Sequence, residues 1–235
     1  MSRKSIYSFD LQVIQILATK MVILQANSSD MPQILFQTPT PLPDEWDVMV
    51  WHIQEDLSFF QGFPPSWVPS QPSKHPQKFL ESCAARFCLW KLCNQHGIKE
   101  PVFKQDDRNR PFFNDSEWHI SLSHAYPFAA AAIRKHLPVG IDVEKKGRNI
   151  KPISARFLSS EEYGRWHANE IDLTRAWSTK EAIYKALAKP GLSFQEAIIL
   201  PEFDQNPMRT QVLERELGVY WKDFDAFVLT IAGEI

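Results

Sequence analysis

Two short segments of this 235-residue chain gather side chains suited to work on a phosphate ester. The first is Gly140-Ile141-Asp142-Val143-Glu144. On a strand, residues two apart point to the same face, so Asp142 and Glu144 present two carboxylates side by side. Two like charges on one face cost energy unless a cation or a proton lies between them. Taken alone, the pair reads as a solvated strand face. The sharper reading is a site for a hard cation, because Mg²⁺ takes a few carboxylates together with phosphate oxygens and water. Gly140 marks a place where another backbone or a ligand can come close.

The second segment is Trp177-Ser-Thr-Lys-Glu-Ala-Ile-Tyr-Lys185. On a helix Glu181 and Lys185 stand one turn apart, and alone they read as an ion pair contributing about 0.2–0.5 kcal/mol. Beside Asp142 and Glu144, Glu181 becomes a third carboxylate for the cation. Lys180 and Lys185 become the positive charge that neutralises a diphosphate, as phosphoryl-group chemistry requires. Ser121-Leu-Ser-His124 ends another predicted strand. His124 alone reads as structural or exposed, but beside a hydroxyl at a strand end it suits a phosphate. Ser123 and His124 are adjacent and point to opposite faces, which argues against a serine–histidine nucleophile pair. Arg110, before Pro111, supplies a further cation just upstream.

Composition narrows how a phosphate can be held. The chain has 8 glycines and 17 prolines, where an average chain of this length carries roughly 16 and roughly 12. It contains neither GxGxxG nor GxxxxGK[ST], so the two common glycine cradles for phosphate are excluded. A formal net charge of −2 argues against nucleic acid as a partner. No apolar run reaches the roughly 18 residues of a membrane span. Three cysteines, Cys83, Cys88 and Cys93, recur every five residues, which is no metal-ligand spacing. They read as buried thiols of a cytoplasmic protein. The N-terminal stretch Ile6 to Leu24 has a loose signal-peptide look, but Asp10, Gln12, Gln15 and Lys20 interrupt it. The expectation there is a helix or an extension.

The elements that must position these groups follow from pattern. Residues 26–46 are polar and proline-punctuated and read as a linker or extended segment. Trp46 to Ile53 alternates as a strand, and the prolines of 62–76 mark a loop. Apolar spacing predicts a helix over Phe79 to Cys93. Strands are predicted at 118–123, 128–134 and 139–144, and the short link 135–138 suggests that the last two form a hairpin. Ser159-Ser-Glu-Glu162 is a capping pattern that opens a helix. The longest later helix runs from Leu173 to Lys189, ahead of Pro190-Gly191. A strand-like run covers Asp225 to Ile231. The chain is therefore of α/β (α+β) class.

With these residues in view, the sequence resembles the 4′-phosphopantetheinyl transferases of the surfactin-synthetase-activating type. GIDVE at 140–144 followed by WSTKEAIYK at 177–185 is similar to that family's paired strand and helix motifs in order, spacing and residue type. SLSHAYPFAAAAI at 121–133, RPFF at 110–113, FLSSEE at 157–162 and KFLESCAAR at 78–86 resemble its supporting segments. The resemblance covers about residues 45–200. It implies a monomer of two similar pseudo-symmetric subdomains, each a small, mainly antiparallel sheet packed on helices, with the active site in the cleft between them. The expected division is an extension at 1–44 and subdomains at 45–138 and 139–235. The implied activity moves 4′-phosphopantetheine from coenzyme A to a serine of an apo acyl or peptidyl carrier protein, releasing adenosine 3′,5′-bisphosphate.

By position, the resemblance implies that Asp142, Glu144 and Glu181 ligate Mg²⁺ and that Glu181 is the base, directly or through water, for the incoming serine. Lys180 and Lys185 would contact the pyrophosphate. His124, Ser123 and Arg86, with Lys78, Arg110 and Pro111, would bind the nucleotide end. The sequence departs from the family at Asn109-Arg110-Pro111, where a glycine is lost and lysine becomes arginine. It also lacks a glycine after the second motif until Gly191. Two other readings compete: a non-catalytic protein of the same fold that binds coenzyme A or a carrier, and a Mg²⁺-dependent diphosphate hydrolase.

Overall fold

The computed structural model describes residues 33–37, 46–69, 75–99 and 101–235. The signal-like stretch and most of the proline-rich linker lie outside the described residues. Two four-stranded antiparallel sheets dominate. The first contains β1 (Gln33–Gln37), β2 (Trp46–His52), β5 (Trp118–Ala125) and β6 (Phe128–Lys135), in the order β1-β2-β6-β5. The second contains β7 (Val139–Lys145), β8 (Met208–Val212), β9 (Arg215–Asp223) and β10 (Phe227–Glu234), in the order β7-β10-β9-β8. A short hairpin, β3 (Phe103–Gln105) with β4 (Pro111–Phe113), stands beside the first sheet.

Each sheet carries one long helix: α1 (Pro76–Gln95) covers the first and α3 (Glu170–Leu187) the second. The short α2 (Ser160–Trp166) packs on α3. The same pattern therefore occurs twice. β2, α1, β5 and β6 match β7, α3, β9 and β10 in chain order, and β2-β6-β5 matches β7-β10-β9 in the sheets.

The layers follow from alternation along the strands. On one face of the first sheet, Met49, Trp51, Ile53, Ala129, Ala131 and Ile133 join Cys83, Phe87, Leu89 and Leu92 of α1 in one core. On the other face, Val48, Val50, Ala130 and Ala132 meet Ile141, Val143, Leu229 and Ile231 of the second sheet. The α3 face of the second sheet forms a third core with Leu173, Ala182, Ile183, Val219 and Trp221. Helix, sheet, sheet, helix is the resulting stack, so both central sheets are covered on both faces. That is why Ala129–Ile133 is an apolar run with no polar face.

Several expectations are corrected. β6 and β7 form no hairpin: β6 pairs with β2 and β5, and β7 pairs with β10. The link 136–138 carries the chain from one sheet to the other, with His136 in the left-handed region (φ 67°). The tight hairpin is β5–β6, closed at Tyr126-Pro127. The segment read as a linker or extended segment contains β1, an extended strand that pairs with β2, in keeping with the second of those readings.

The two sheets meet along a seam. β5 and β7 are edge strands of their respective sheets. Ser121 Oγ accepts the Ile141 N–H at 3.0 Å, and Ser123 Oγ accepts the Val143 N–H at 3.2 Å. Side-chain hydroxyls thus satisfy edge amides that no neighbouring strand reaches.

Candidate active site

Odd residues of β7 face the first sheet, so the even ones, Gly140, Asp142 and Glu144, face α3. Gly140 fixes how closely the helix approaches. A Cβ built there would lie 1.9 Å from the Ala182 carbonyl oxygen and 2.6 Å from the Ala186 nitrogen. Only glycine permits this backbone-on-backbone contact. It brings the stripe Trp177, Glu181 and Lys185, spaced four residues apart on α3, over the two strand carboxylates. A capping box starts α2, where Ser159 and Glu162 exchange side-chain bonds. Asn169 Oδ1 caps α3.

Lys185 Nζ donates to Asp142 Oδ1 (2.7 Å), the Ile141 carbonyl (3.0 Å) and Ser123 Oγ (3.2 Å). Its ion pair is thus with Asp142, across the helix–strand contact, and not with Glu181 one turn away. Trp177 Nε1 donates to Glu144 Oε1 at 2.7 Å, and Arg148 approaches both oxygens of the same carboxylate at 3.1 and 3.0 Å. The sequence alone gives neither Trp177 nor Arg148 a role. The tryptophan at the head of the motif was its only signal.

A cavity of about 360 Å³ brings the predicted groups together across the two halves. From the second half come Asp142, Glu144, Glu181 and Lys185. From the first come Arg86, Ser123, His124 and Pro111. A neighbouring cavity of about 430 Å³, also lined by Glu181, Lys185 and Pro111, extends past Arg110 and Tyr184. Arg86 is held in place by the β3–β4 hairpin. Its guanidinium lies 4.5 Å from the centroid of the Phe103 ring and donates to Gln105 Oε1 at 3.3 Å.

Three sequence-based assignments change. Lys180 does not face the cleft. It is wholly buried, and its Nζ donates to Glu162 Oε2 at 2.7 Å and to the Phe194 carbonyl at 2.8 Å. Helical spacing explains this: a residue next to Glu181 in sequence points about 100° away from it around the helix. Ser123 lines the cavity, but its hydroxyl is fully engaged. It donates its proton to Asp142 Oδ1 at 2.9 Å and accepts from Val143 N and Lys185 Nζ, which exhausts a hydroxyl's one donor and two acceptor positions. These bonds tie it to the carboxylate and to the seam. Lys78 does not line either cavity; it is exposed and bonds Glu81 at 3.1 Å.

Electrostatics tests whether a cation suits the carboxylates. Burial pushes the Glu181 carboxyl up to about 7, with Lys185 opposing and Asp142 and Glu144 adding to the rise. Burial, then the Asp142 charge, also raises Glu144 against the pull of Arg148 and Trp177. Asp142 Oδ2 is buried with no hydrogen-bond partner. Two carboxylates that resist ionisation beside a third with a bare oxygen make a site short of positive charge. The donor set is all oxygen, which fits Mg²⁺ by type. Among the described residues, however, no three His, Cys, Asp or Glu side chains stand close enough to form a ready metal cluster.

The three cysteines are free and buried, and burial raises each thiol, Cys83 to about 11 and Cys93 to about 12. No helix among the described residues is long and apolar enough to cross a membrane.

No curated protein matches the chain. Residues 138–232, which run from β7 into β10 and supply Asp142, Glu144, Glu181 and Lys185, match the family model of the 4′-phosphopantetheinyl transferase superfamily, and the match supports that superfamily for this part of the chain.

Proposed function

We propose that this protein transfers 4′-phosphopantetheine from coenzyme A to a serine hydroxyl of an apo carrier protein, as a Mg²⁺-dependent enzyme acting as a monomer in the cytoplasm. The observation that carries the proposal is the shared cavity. Three carboxylates and Lys185 from one half face Arg86 and His124 from the other. That arrangement suits a ligand with a diphosphate at one end and a further phosphate at the other. On this reading the subdomains divide near residue 138, with the cleft between them.

Asp142, Glu144 and Glu181 would hold Mg²⁺. Bound there, the ion would supply charge neutralisation for the pyrophosphate oxygens. The chain's own groups do the rest. Arg86 and His124, with Arg110 near the mouth, bind the nucleotide phosphates. The carrier serine Oγ forms a bond to the phosphorus next to the pantetheine arm, while the bond from that phosphorus to the bridging oxygen breaks. Adenosine 3′,5′-bisphosphate leaves with the bridging electron pair. Glu181, whose affinity for a proton is raised by burial, accepts the serine proton. Lys185 stabilises charge on the departing phosphate.

Incubating the protein with coenzyme A, Mg²⁺ and an apo carrier should add one phosphopantetheine mass to the carrier. Glu181→Gln should abolish the gain while leaving coenzyme A binding within a few-fold of wild type. Coenzyme A binding without transfer to any of several carrier types overturns the catalytic reading in favour of a binding protein.

A further inference from the structure

Glu81 is out of place. It is 1% exposed on α1, whose other buried residues are apolar apart from Arg86. A carboxylate in that setting is costly unless bonded. Gln77 Nε2 donates to it at 3.0 Å and Lys78 Nζ at 3.1 Å, and His124 Nδ1 lies 2.7 Å from Oε2. Burial alone would raise the Glu81 carboxyl, but the hydrogen bonds from Gln77 and Lys78, with the Lys78 charge, hold it below the ordinary value. It is therefore an anion, and its least exposed partner is the His124 ring.

The two nitrogens of that ring have different surroundings. Nδ1 is fully buried and lies 2.7 Å from Glu81 Oε2, an ion-pair contact that is not aligned as a hydrogen bond. A third of the side chain remains exposed and lines the cavity that holds Arg86 and Lys185. A ring fixed by Nδ1 presents Nε2 to the cavity. The charged and titratable groups around it are Glu81, Lys78 and Arg86 from α1, Glu181 and Lys185 from α3, and Asp142 and Glu144 from β7. Burial, ahead of the opposing Glu81 charge, lowers the tendency of His124 to hold a second proton, and Lys78 and Lys185 add to this. In the neutral ring a proton on Nδ1, facing the Glu81 carboxylate, leaves a lone pair on Nε2. A phosphate dianion needs a donor there, so the ring must gain a proton when the anion arrives.

Resting on the transferase reading, we propose that Glu81 is a positioning residue for His124. It holds the ring by Nδ1 and makes capture of a nucleotide phosphate at Nε2 coupled to uptake of one proton. The balance is simple: one solvent proton moves to Nε2, and no bond other than N–H forms. Affinity should then fall as pH rises, because the bound form needs the imidazolium.

The test is calorimetry of the full chain with adenosine 3′,5′-bisphosphate at pH 8, without metal, in two buffers of different ionisation heat. Wild type should take up close to one proton per ligand. Glu81→Gln keeps the shape but loses the charge. It should weaken binding about tenfold, as expected for loss of a charge-assisted bond, and shift the fall in affinity to lower pH. His124→Gln should take up no proton. Long-range ¹H–¹⁵N spectra of wild type, which do not depend on either variant folding, should show Nδ1–H alone in the free protein and both nitrogens protonated in the complex. An Nε2–H tautomer in the free protein overturns the proposal. So does Glu81→Gln binding with unchanged proton uptake and affinity, and in that case the transferase reading stands. Failure of wild type to bind the bisphosphate overturns both.

Discussion

Replacing Lys180 with methionine separates two roles for the lysine that precedes Glu181. The structure puts both Lys180 and Glu162 at 0% side-chain exposure, 2.7 Å apart. Glu162 is a hub: Oε2 also accepts the Ser159 N–H at 2.8 Å, and Oε1 accepts the Leu200 N–H at 2.8 Å. Methionine fills the lysine's volume but leaves the carboxylate with two amide donors and no counter-charge. Removing one partner of a buried pair costs about 3–5 kcal/mol, because the other charge stays buried. For a chain of this size that is roughly 6–20 °C in Tm. Pairing the change with Glu162→Gln should recover part of it, so that the double variant loses less than the sum of the singles. Urea unfolding measures these terms, and calorimetry with coenzyme A well below Tm measures binding. The expected result is a large stability loss with coenzyme A affinity within about twofold of wild type, since a 2-fold change is well under 1 kcal/mol. Unchanged stability with a sharp drop in affinity would refute the reasoning and return Lys180 to the phosphate.

Two further predictions concern the helix–strand contact. Gly140→Ala must push α3 away from β7, since its Cβ falls 1.9 Å from the Ala182 carbonyl oxygen. The expected cost is about 1–3 kcal/mol or more, with transfer lost even where the variant remains folded, because Glu181 and Lys185 move with the helix; circular dichroism melts and the mass assay check both. For Glu181, a folded-state pKa of about 7 above an ordinary value of 4.5 means stability fully present at low pH and lost as pH rises from about 4.5 to about 7. Glu181→Gln should flatten that part of the metal-free Tm profile, and Mg²⁺ should restore the loss in wild type but not in the variant.

Much of this arrangement is legible in the residues. Period-two spacing put Asp142 and Glu144 on one face, and helical spacing put Glu181 and Lys185 on another, because both rules depend only on local backbone geometry. The capping box at Ser159 and Glu162 is equally local. What failed was long-range. Lys180 looks like a partner of Glu181 until α2 and the 193–200 segment close over it, and no periodicity reports that. The link at 135–138 suits a hairpin by length, but β6 already has partners on both sides, β2 and β5. Glu81 sits unremarked in a good helical pattern, and only the approach of β5 gives it a histidine.

The seam between β5 and β7 bears on how the protein avoids sticking to copies of itself. A long, apolar, unpaired strand is a template for another chain, and proteins usually guard such edges with charge, proline or a covering element. β7 is apolar on its odd positions and would be exposed along this edge if the halves separated. Ser121 and Ser123 cover its amides with hydroxyls, which satisfy the donors but offer no backbone groups of their own from which a ladder could continue. Replacing both serines with alanine therefore removes more than two hydrogen bonds: it uncovers an adhesive edge beside the candidate site. Soluble yield, before activity, is where that loss would first be felt.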